Sequence, residues 1–589
     1  MEMEKKNLAI IILAVVLAAS GVGNVILAMM TVVQQPYSGE VLRVATTENP
    51  VTIDPMNSWD SVSNNILDQV GEPLLATDLT NSSFPIVGRL AESWIWLNLT
   101  TIEFHLRPDV IFHNGQPLTG EDVIYTFERI NYFGNTTGTL PDNSTMAFPH
   151  SLYKFNETTP IFDTVASRVW WNAHKASNPL VVRLYLNAPF APAEGLLSYT
   201  ASDIVGHTST PKYKMLDLAT DLFVGTGPFK LIKYAPNSEV RFARWERYWR
   251  TGAYWDQIVY VFYRDAVTAN NAMLAGDIDF LGQGMASLKQ DFIDDPDITV
   301  TGDGVHDYIN GSIYWYMGFN SQILNRTWRM AISTAFNYTY LIQDILEDTG
   351  VKAGSLVPPG FPAHNSSVHG PTYDIEQARL LMQSMGYGLG WQTGSMSGDQ
   401  FTPGANEADW LGASFVPPPS SGGNFTTGQI DTYQRRGSNF MANYVTRLTE
   451  DMHLIGISIH ASVTTWADFI RRGQLKPGTM QTFFVGWGPD YFETFNMIDP
   501  LVNNASSSNF CQINDPYLQN LLKLTAAETD TATRYAYYEQ LQGYIIDVQY
   551  YHMPLWYDKQ YYVHAKSLMN FPYNTMRNLY FYPTYREVA

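Results

Sequence analysis

Short apolar runs alternate along the chain with longer stretches in which apolar residues recur every three or four positions. The short runs are rich in β-branched and aromatic residues and predict strands, whereas the longer stretches predict amphipathic helices. No period typical of solenoids or propellers repeats. The pattern therefore predicts an α/β fold. The predicted strands are Val41–Thr46, Ile102–Leu106, Val181–Leu186, Phe229–Tyr234, Val240–Trp245, Ile258–Tyr263, Ile313–Phe319, Ile457–Ala461 and Thr482–Val485.

Residues that can cap a helix mark the starts of the helices. Thr119 is followed three positions later by an acidic residue and then by apolar residues at helical spacing. Asp374 opens a second helix in the same way, and Asp515 precedes a proline that suits the first helical position. A long last helix begins near Asp530. These features indicate how the helices pack and do not point to a functional site.

One stretch, 387–438, is rich in Gly, Pro and Ser and includes the run Pro417–Gly423. A segment of this composition buries little apolar surface. The sequence predicts that it forms an exposed loop or lid.

The N-terminal segment Leu8–Val33 carries no charge. As a helix its roughly 26 residues would span about 39 Å, enough to cross a hydrocarbon core of about 30 Å. Lys5 and Lys6 precede it, so residues 1–7 are expected to be a cytoplasmic tail and 34–40 an outer linker. A cleaved signal peptide is the alternative, with Ala18-Ala19-Ser20 as its processing site. Both interpretations place the large domain outside the cell.

Composition excludes several classes of protein. The chain has 589 residues, of which 45% are hydrophobic and only 16% are charged. A disordered protein would have the opposite balance, with few hydrophobic and many charged residues. A net charge of −20 with no basic stripe argues against nucleic acid as a partner. Cys511 is the single cysteine, so no intrachain disulfide can form.

Eleven Asn-x-Ser/Thr triplets agree with an exported and glycosylated surface. By themselves they are weak evidence, because a chain rich in Asn, Ser and Thr produces such triplets by chance. Their asparagines are Asn81, Asn98, Asn135, Asn143, Asn156, Asn310, Asn325, Asn337, Asn365, Asn424 and Asn504.

The motifs of common enzymes are missing from the sequence. It has no phosphate-binding G-x-x-x-x-G-K-[ST], no H-E-x-x-H, no C-x-x-C and no G-x-S-x-G. The nearest histidine pairs have spacings that do not place both rings on one helix face. We therefore expect no catalysis, no metal and no cofactor. Aromatic residues make up 14% of the chain and include 15 tryptophans, a composition that favours surfaces on which ligands stack.

A series of short blocks follows one another in a characteristic order, and the most specific reads Phe-His-Asn-Gly-Gln-Pro-Leu-Thr-Gly-Glu-Asp-Val. The blocks are Leu42–Ala45, Ile53–Pro55, Gly71–Leu75, Leu90–Trp94, Phe104–Val110, Phe112–Val123, Gly225–Phe229, Ala275–Asp279, Tyr316–Asn320, Tyr373–Tyr387, Ile455–Ile457 and Gly486–Asp490. In this order they resemble the extracytoplasmic solute-binding proteins of ABC importers, in the oligopeptide- and dipeptide-binding class known as family 5.

That resemblance implies a class II periplasmic-binding-protein-like fold of two lobes with an extra domain, following the N-terminal helix. It implies capture of a solute between the lobes and delivery to an ABC permease in the membrane, by a chain expected to be a monomer. The implied boundaries are 41–71, 222–317 and 555–589 for lobe 1, 72–221 for the extra domain and 318–554 for lobe 2.

The resemblance also implies a ligand site around Trp487, Asp490 and Tyr491. In peptide-binding members the aspartate of this segment pairs with the free α-amino group of the ligand. A carboxylate facing an ammonium away from water is physically apt for that task. The competing interpretation of Asp490 is a helix cap after Gly-Pro.

A second implied contact is the loop Trp59-Asp60-Ser61, which lies where relatives touch the ligand backbone. Asn320 is placed at the cleft hinge, with a purely structural role as the alternative. Members of the family also bind oligosaccharides, nickel and haem. An oligosaccharide receptor, with Trp59 and Trp487 stacking on sugar rings, is therefore the second hypothesis, and a structural surface glycoprotein is the third.

Overall fold

The computed structural model describes most of the chain after the N-terminal segment. The segment 1–40, Trp59 and most of 387–438 lie outside the described residues. The described residues are 41–58, 60–81, 84–134, 153–155, 159–251, 253–282, 284–301, 309–385, 429–435, 439–464, 466–475, 478–576 and 578–587.

A seven-stranded sheet, here the first sheet, collects strands from three distant parts of the chain. Its central strand Val41–Thr46 runs parallel to Gln257–Phe262, so the opening of the chain is held by residues more than 200 positions later. In spatial order its strands are Ile298–Thr301, Tyr562–Ala565, Phe280–Gly282, Val41–Thr46, Gln257–Phe262, Glu239–Arg244 and Phe229–Ala235.

A six-stranded sheet, here the second sheet, is built around the long strand Ile309–Phe319. Apolar side chains cover both of its faces, with Tyr314 and Tyr316 on one face and Met317 and Phe319 on the other. In spatial order its strands are Gly350–Lys352, His552–Gln560, Ile309–Phe319, Thr482–Trp487, Gln429–Arg435 and Ser458–Thr464.

A four-stranded antiparallel sheet, here the third sheet, is formed by residues from the first third of the chain. Its strands in spatial order are Ala91–Asn98, Thr101–Leu106, Val181–Leu186 and Phe162–Asp163. Two further pairs are Leu75–Thr77 with Ile86–Gly88 and Leu568–Met569 with Tyr585–Arg586.

Helices cover the sheets. The α-helices are Ser61–Leu67, Gly120–Gly134, Thr164–His174, Ala193–Leu196, Ala266–Leu274, Lys289–Asp294, Arg326–Ala335, Tyr338–Tyr340, Ile375–Ser384, Asn439–His453, Trp466–Gln474, Thr494–Val502, Pro516–Ala527 and Thr531–Gly543. Short 3-10 turns occur at Pro55–Asn57, Thr200–Ser202 and Ala286–Leu288, and π-helical turns at Leu341–Ile345 and Tyr544–Val548.

The four helix starts are confirmed. Asp374, Asp515 and Asp530 each accept hydrogen bonds from backbone N–H groups of the first turn that follows. The fourth start is that of the helix Gly120–Gly134. There Asp122 Oδ2 accepts a hydrogen bond from the backbone N–H of Thr119 at 2.9 Å.

The predicted strands also occur, each within a few residues of its predicted bounds. Two corrections are needed. Residues 429–435, predicted to belong to a loop, form a strand that pairs in parallel with Ser458–Thr464. The strand His552–Gln560 was not predicted, because Pro554 lies within it. Both it and Ile309–Phe319 belong to the second sheet, although the predicted boundaries assign 309–317 and 555–560 to lobe 1.

A close contact of backbones fixes the point where the chain returns to the first sheet. A Cβ placed on Gly225 would lie 2.0 Å from the carbonyl oxygen of Val70, so only glycine fits. Gly225 and Gly227 thus form a turn into the strand Phe229–Ala235.

Candidate functional site

The strand Thr482–Trp487 carries the chain out of the second sheet into the predicted ligand segment. Trp487 packs half-buried against the main apolar core, and its indole N–H donates to the carbonyl oxygen of Asn496 at 3.0 Å. The indole therefore helps to close the turn that follows the strand.

Asp490 and Asn496 hold each other in this turn. The Asn496 amide nitrogen donates to Asp490 Oδ2 at 3.0 Å, and Asn496 Oδ1 accepts from the backbone N–H of Asp490 at 2.7 Å. Asp490 does not cap the following helix Thr494–Val502, because Glu493 occupies the cap position. The capping alternative is therefore wrong.

Burial raises the pKa of the Asp490 carboxyl to about 6, while the hydrogen bond from Asn496 acts in the opposite direction. Asp490 forms no ion pair with any residue in the described part of the chain. The turn thus presents a partly desolvated carboxylate whose hydrogen-bond partner, Asn496, is neutral.

Tyr199 connects this carboxylate to the first part of the chain, and the sequence motifs do not include it. It lies just before the turn Thr200–Ser202, is 2% exposed, and donates from its hydroxyl to the carbonyl oxygen of Ser58 at 2.8 Å. Its ring centroid lies 6.3 Å from that of Tyr491. No motif in the sequence marks Tyr199 as a residue of the site.

The predicted loop contact lies two residues beyond Ser58. Asp60 caps the helix Ser61–Leu67 by accepting from the backbone N–H of Ser63 at 2.9 Å. Its other oxygen, Oδ2, is buried without a hydrogen-bond partner among the described residues, and burial raises the pKa of the carboxyl. Ser61 is exposed. Trp59 lies outside the described residues.

Tyr491 is buried where two parts of the fold meet. A Cβ placed on Gly195, in the helix Ala193–Leu196, would lie 2.8 Å from the Tyr491 ring. Near this contact the backbone N–H of Ala191 donates to the carbonyl oxygen of Ala526 at 2.8 Å. The region of the third sheet is therefore in direct contact with the helices of the second sheet.

A cavity of about 690 Å³ opens between these two regions on the Tyr491 side. Phe190 and Phe495 meet edge to face at 5.6 Å in its wall. Lys523 and Asp499 also line it, and burial raises the pKa of Asp499 to about 7, so this carboxyl is about half protonated at neutral pH. Within the described ranges no three His, Cys, Asp or Glu side chains are arranged to hold a metal.

Asn320 is separated from the other predicted site residues. It follows the strand Ile309–Phe319. Trp487 pairs with Tyr314 in that strand, and the six residue steps from Tyr314 to Asn320 correspond to roughly 20 Å. It is fully buried, and its amide donates to the carbonyl oxygens of Gly478 and Met480. Its role at a hinge stays a prediction.

The family of the chain follows from comparison with known proteins. The sequence model for the middle region of bacterial extracellular solute-binding proteins, family 5, matches residues 85–509. The chain belongs to this family, and the predicted resemblance is confirmed. The family consists of extracellular solute-binding proteins by its own description.

Relatives extend over most of the chain. Heme-binding protein A of Haemophilus influenzae is 24% identical over 84% of this chain and 82% of its own length. The dipeptide-binding protein of Escherichia coli is 23% identical over 78% of both chains. The chain is thus similar to proteins named for quite different solutes.

Solved structures confirm the two-lobed α/β periplasmic-binding-protein-like fold. The periplasmic binding protein DppA of Helicobacter pylori, in complex with the peptide STSA, superposes with a TM-score of 0.75 over 93% of this chain and 98% of its own, at 20% identity. AppA of Bacillus subtilis, in complex with a nonapeptide, gives 0.71 over 93% and 99%, at 17% identity.

The membrane segment expected at 8–33 lies outside the described residues. Among the helices from residue 41 onward that the structure describes, none is long and apolar enough to cross a membrane.

Proposed function

We propose that this chain is the extracytoplasmic component of an ABC importer, that it captures peptides between its two lobes, and that Asp490 binds the free amino terminus of the peptide. The observation that supports the proposal is the Asp490 carboxylate, which is partly desolvated and which, among the described residues, is hydrogen-bonded to the neutral Asn496 and has no cationic partner. The ammonium of a peptide would supply that cation.

The surroundings support an amino-terminal ligand. Asn496 holds one Asp490 oxygen and the backbone at the same time, so the carboxylate is oriented before a ligand arrives. Asp60 Oδ2, which has no hydrogen-bond partner among the described residues, is a second acceptor. It lies two residues along the chain from Ser58, to which Tyr199 is hydrogen-bonded. The cavity beside Tyr491 has the size of a ligand pocket, although neither Asp490 nor Asp60 lines it.

Closure of the lobes accounts for capture without catalysis. A ligand shifts an open–closed equilibrium only by its difference in affinity for the two forms. A peptide bound at Asp490 contacts both Asn496 on one side and the Tyr199 region on the other, so it favours the closed form. We assign no catalytic step to this chain, and transport energy comes from the ATPase of the importer.

The remaining assignments rest on the sequence. We propose that the uncharged segment Leu8–Val33 anchors the chain in the cell membrane, with the lobes outside and close to the permease. We also propose that the protein acts as a monomer and that lobe 1, the extra domain and lobe 2 follow the predicted boundaries except at the strands Ile309–Phe319 and His552–Gln560, which belong to the second sheet.

Calorimetric titration of the detergent-solubilised full chain tests the amino-terminal role. A free tetrapeptide should bind, whereas the same peptide with an acetylated amino terminus should bind at least about 30-fold more weakly, because truncating one side of a buried charge pair costs about 2–5 kcal/mol. Asp490→Asn should weaken the free peptide similarly, while Asp277→Asn, at an exposed aspartate, should change nothing.

Two results would contradict the proposal. Equal affinity for free and acetylated peptides would remove the role of Asp490. Binding of a tetrasaccharide with no binding of either peptide would replace the peptide by a sugar as the solute of this fold.

A further inference from the structure

The strand Ala91–Asn98 lies at the edge of the third sheet and has two different faces. Trp94 and Trp96 point inward, and the indole N–H of each donates to Glu194 Oε1 at 2.8 Å. Successive side chains of a strand point to opposite faces, so the residues between and after these tryptophans point outward.

The outward positions near the end of the strand are apolar. Ile95 is 54% exposed and Leu97 is 43% exposed, and Leu99 in the turn that follows is 57% exposed. We call these three residues the apolar patch. Adjacent exposed apolar residues on an edge strand favour aggregation unless something covers them.

An acceptor triplet for glycans lies inside this patch. Asn98, Leu99 and Thr100 form the turn between the strand and its neighbour. Asn98 Oδ1 accepts from the backbone N–H of Thr100 at 2.9 Å and from its hydroxyl at 3.1 Å. The Asn98 amide nitrogen donates to no described residue and faces solvent.

Two other triplets differ in this respect. The amide nitrogen of half-buried Asn365 donates to the carbonyl oxygen of Glu539 at 3.1 Å. That of Asn504 donates to Asn514 Oδ1 at 2.9 Å. An amide already bonded within the fold is less accessible to a transferase than one that projects from an exposed turn.

We propose that Asn98 carries an N-linked glycan and that this glycan covers the apolar patch. The donor is a lipid-linked oligosaccharide phosphate on the outer side of the membrane. The Asn98 nitrogen forms a bond to C1 of the first sugar, the bond from C1 to the phosphate oxygen breaks, and the lipid phosphate leaves while the amide loses one proton to a base. Leu97 and Leu99 flank the attachment residue, so the first sugars lie over them.

Mass spectrometry of the full chain purified from its own cells tests the attachment. The peptide that spans residues 91–106 should carry a sugar mass localised on Asn98, and the peptide that contains Asn365 should carry none. Thr100→Ala and Asn98→Gln should abolish the modification, while Thr100→Ser, which keeps the acceptor triplet, should retain it.

Covering of the patch has its own readout. Thr100→Ala and Asn98→Gln protein should bind a hydrophobic fluorescent dye at least about twofold more strongly than Thr100→Ser protein. An unmodified Asn98 peptide would overturn the attachment. A modified Asn98 combined with equal dye binding by all variants would overturn the covering role.

Discussion

At the scale of single residues, Asp490 shows how burial prepares a carboxylate for a cationic ligand. Desolvation raises its pKa to about 6, against the hydrogen bond from Asn496. The ionised form that a peptide ammonium requires is therefore costly without a ligand and is stabilised when the ligand arrives. An affinity that depends on the ionisation of Asp490 must depend on pH.

We expect peptide affinity to be highest near pH 7, to fall about twofold by pH 8 as the peptide ammonium loses its proton, and to fall as the pH drops through about 6. At pH 5 the fall should reach about tenfold, because the ligand must first displace the proton from Asp490. Titration calorimetry at several pH values measures this. Asp490→Asn should bind weakly at every pH, and a parallel fall in that variant would assign the pH dependence to another group.

The sequence predicts Asp490 and Trp487 from a local motif, because both lie in one short turn. It does not predict Tyr199, which reaches the site from a position almost 300 residues earlier and has no motif of its own. The sequence predicts Asp60 as a ligand contact. Only the structure shows that one oxygen of its carboxylate caps a helix, whereas the other is buried without a hydrogen-bond partner among the described residues. Long-range contacts of this kind are not encoded in spacing.

At the scale of elements, strands with alternating or continuous apolar patterns are predicted well because a pattern decides which face is buried. The strand His552–Gln560 was not predicted, because Pro554 lacks a backbone N–H and a proline argues against a strand. The structure accommodates the proline at a shift of register opposite Tyr316, where the regular ladder is already interrupted. Tertiary pairing on both sides therefore overrides the local signal.

The short helix Ala193–Leu196 makes a prediction at this scale. A Cβ on Gly195 would lie 2.8 Å from the Tyr491 ring and 3.3 Å from Glu493 Cβ, while its backbone conformation would tolerate alanine. We expect Gly195→Ala to leave folding largely intact, to separate the two contacting regions and to weaken peptide binding at least about tenfold. Calorimetry gives the affinity, and small-angle scattering should show a larger radius of gyration with ligand present.

Gly543→Ala is the matched control, because its added Cβ would meet its nearest described neighbour at 3.9 Å, an ordinary contact. It should bind peptide like the unchanged protein. If Gly195→Ala also binds normally and scatters identically, then contact of the Ala193–Leu196 helix with Tyr491 is not required for the closed form.

At the scale of the whole molecule, buried titratable groups of two kinds act on stability in opposite directions. Burial raises the pKa of Asp68 to about 6 and that of Asp499 to about 7. In these carboxyls the folded state binds protons that the unfolded state releases, so stability falls as the pH rises from about 4 to 7. Burial lowers the pKa of His113 to about 4 and that of His552 to about 3, so stability falls as the pH drops below the unfolded value near 6.5.

These two dependences act over the same pH range with opposite signs, so they are separated by removing one group at a time. Relative to the unchanged protein, Asp499→Asn, which keeps an acceptor for Asn503, should gain in unfolding temperature as the pH rises from 4 to 7, because it removes a carboxyl whose pKa is raised in the folded state. His113→Gln should gain relative to the unchanged protein as the pH falls from 6.5 to 4, because it removes an imidazole that stays neutral only in the folded state. Scanning calorimetry from pH 4 to 8 measures both differences. A difference that does not change with pH would contradict the shifted pKa of the group removed.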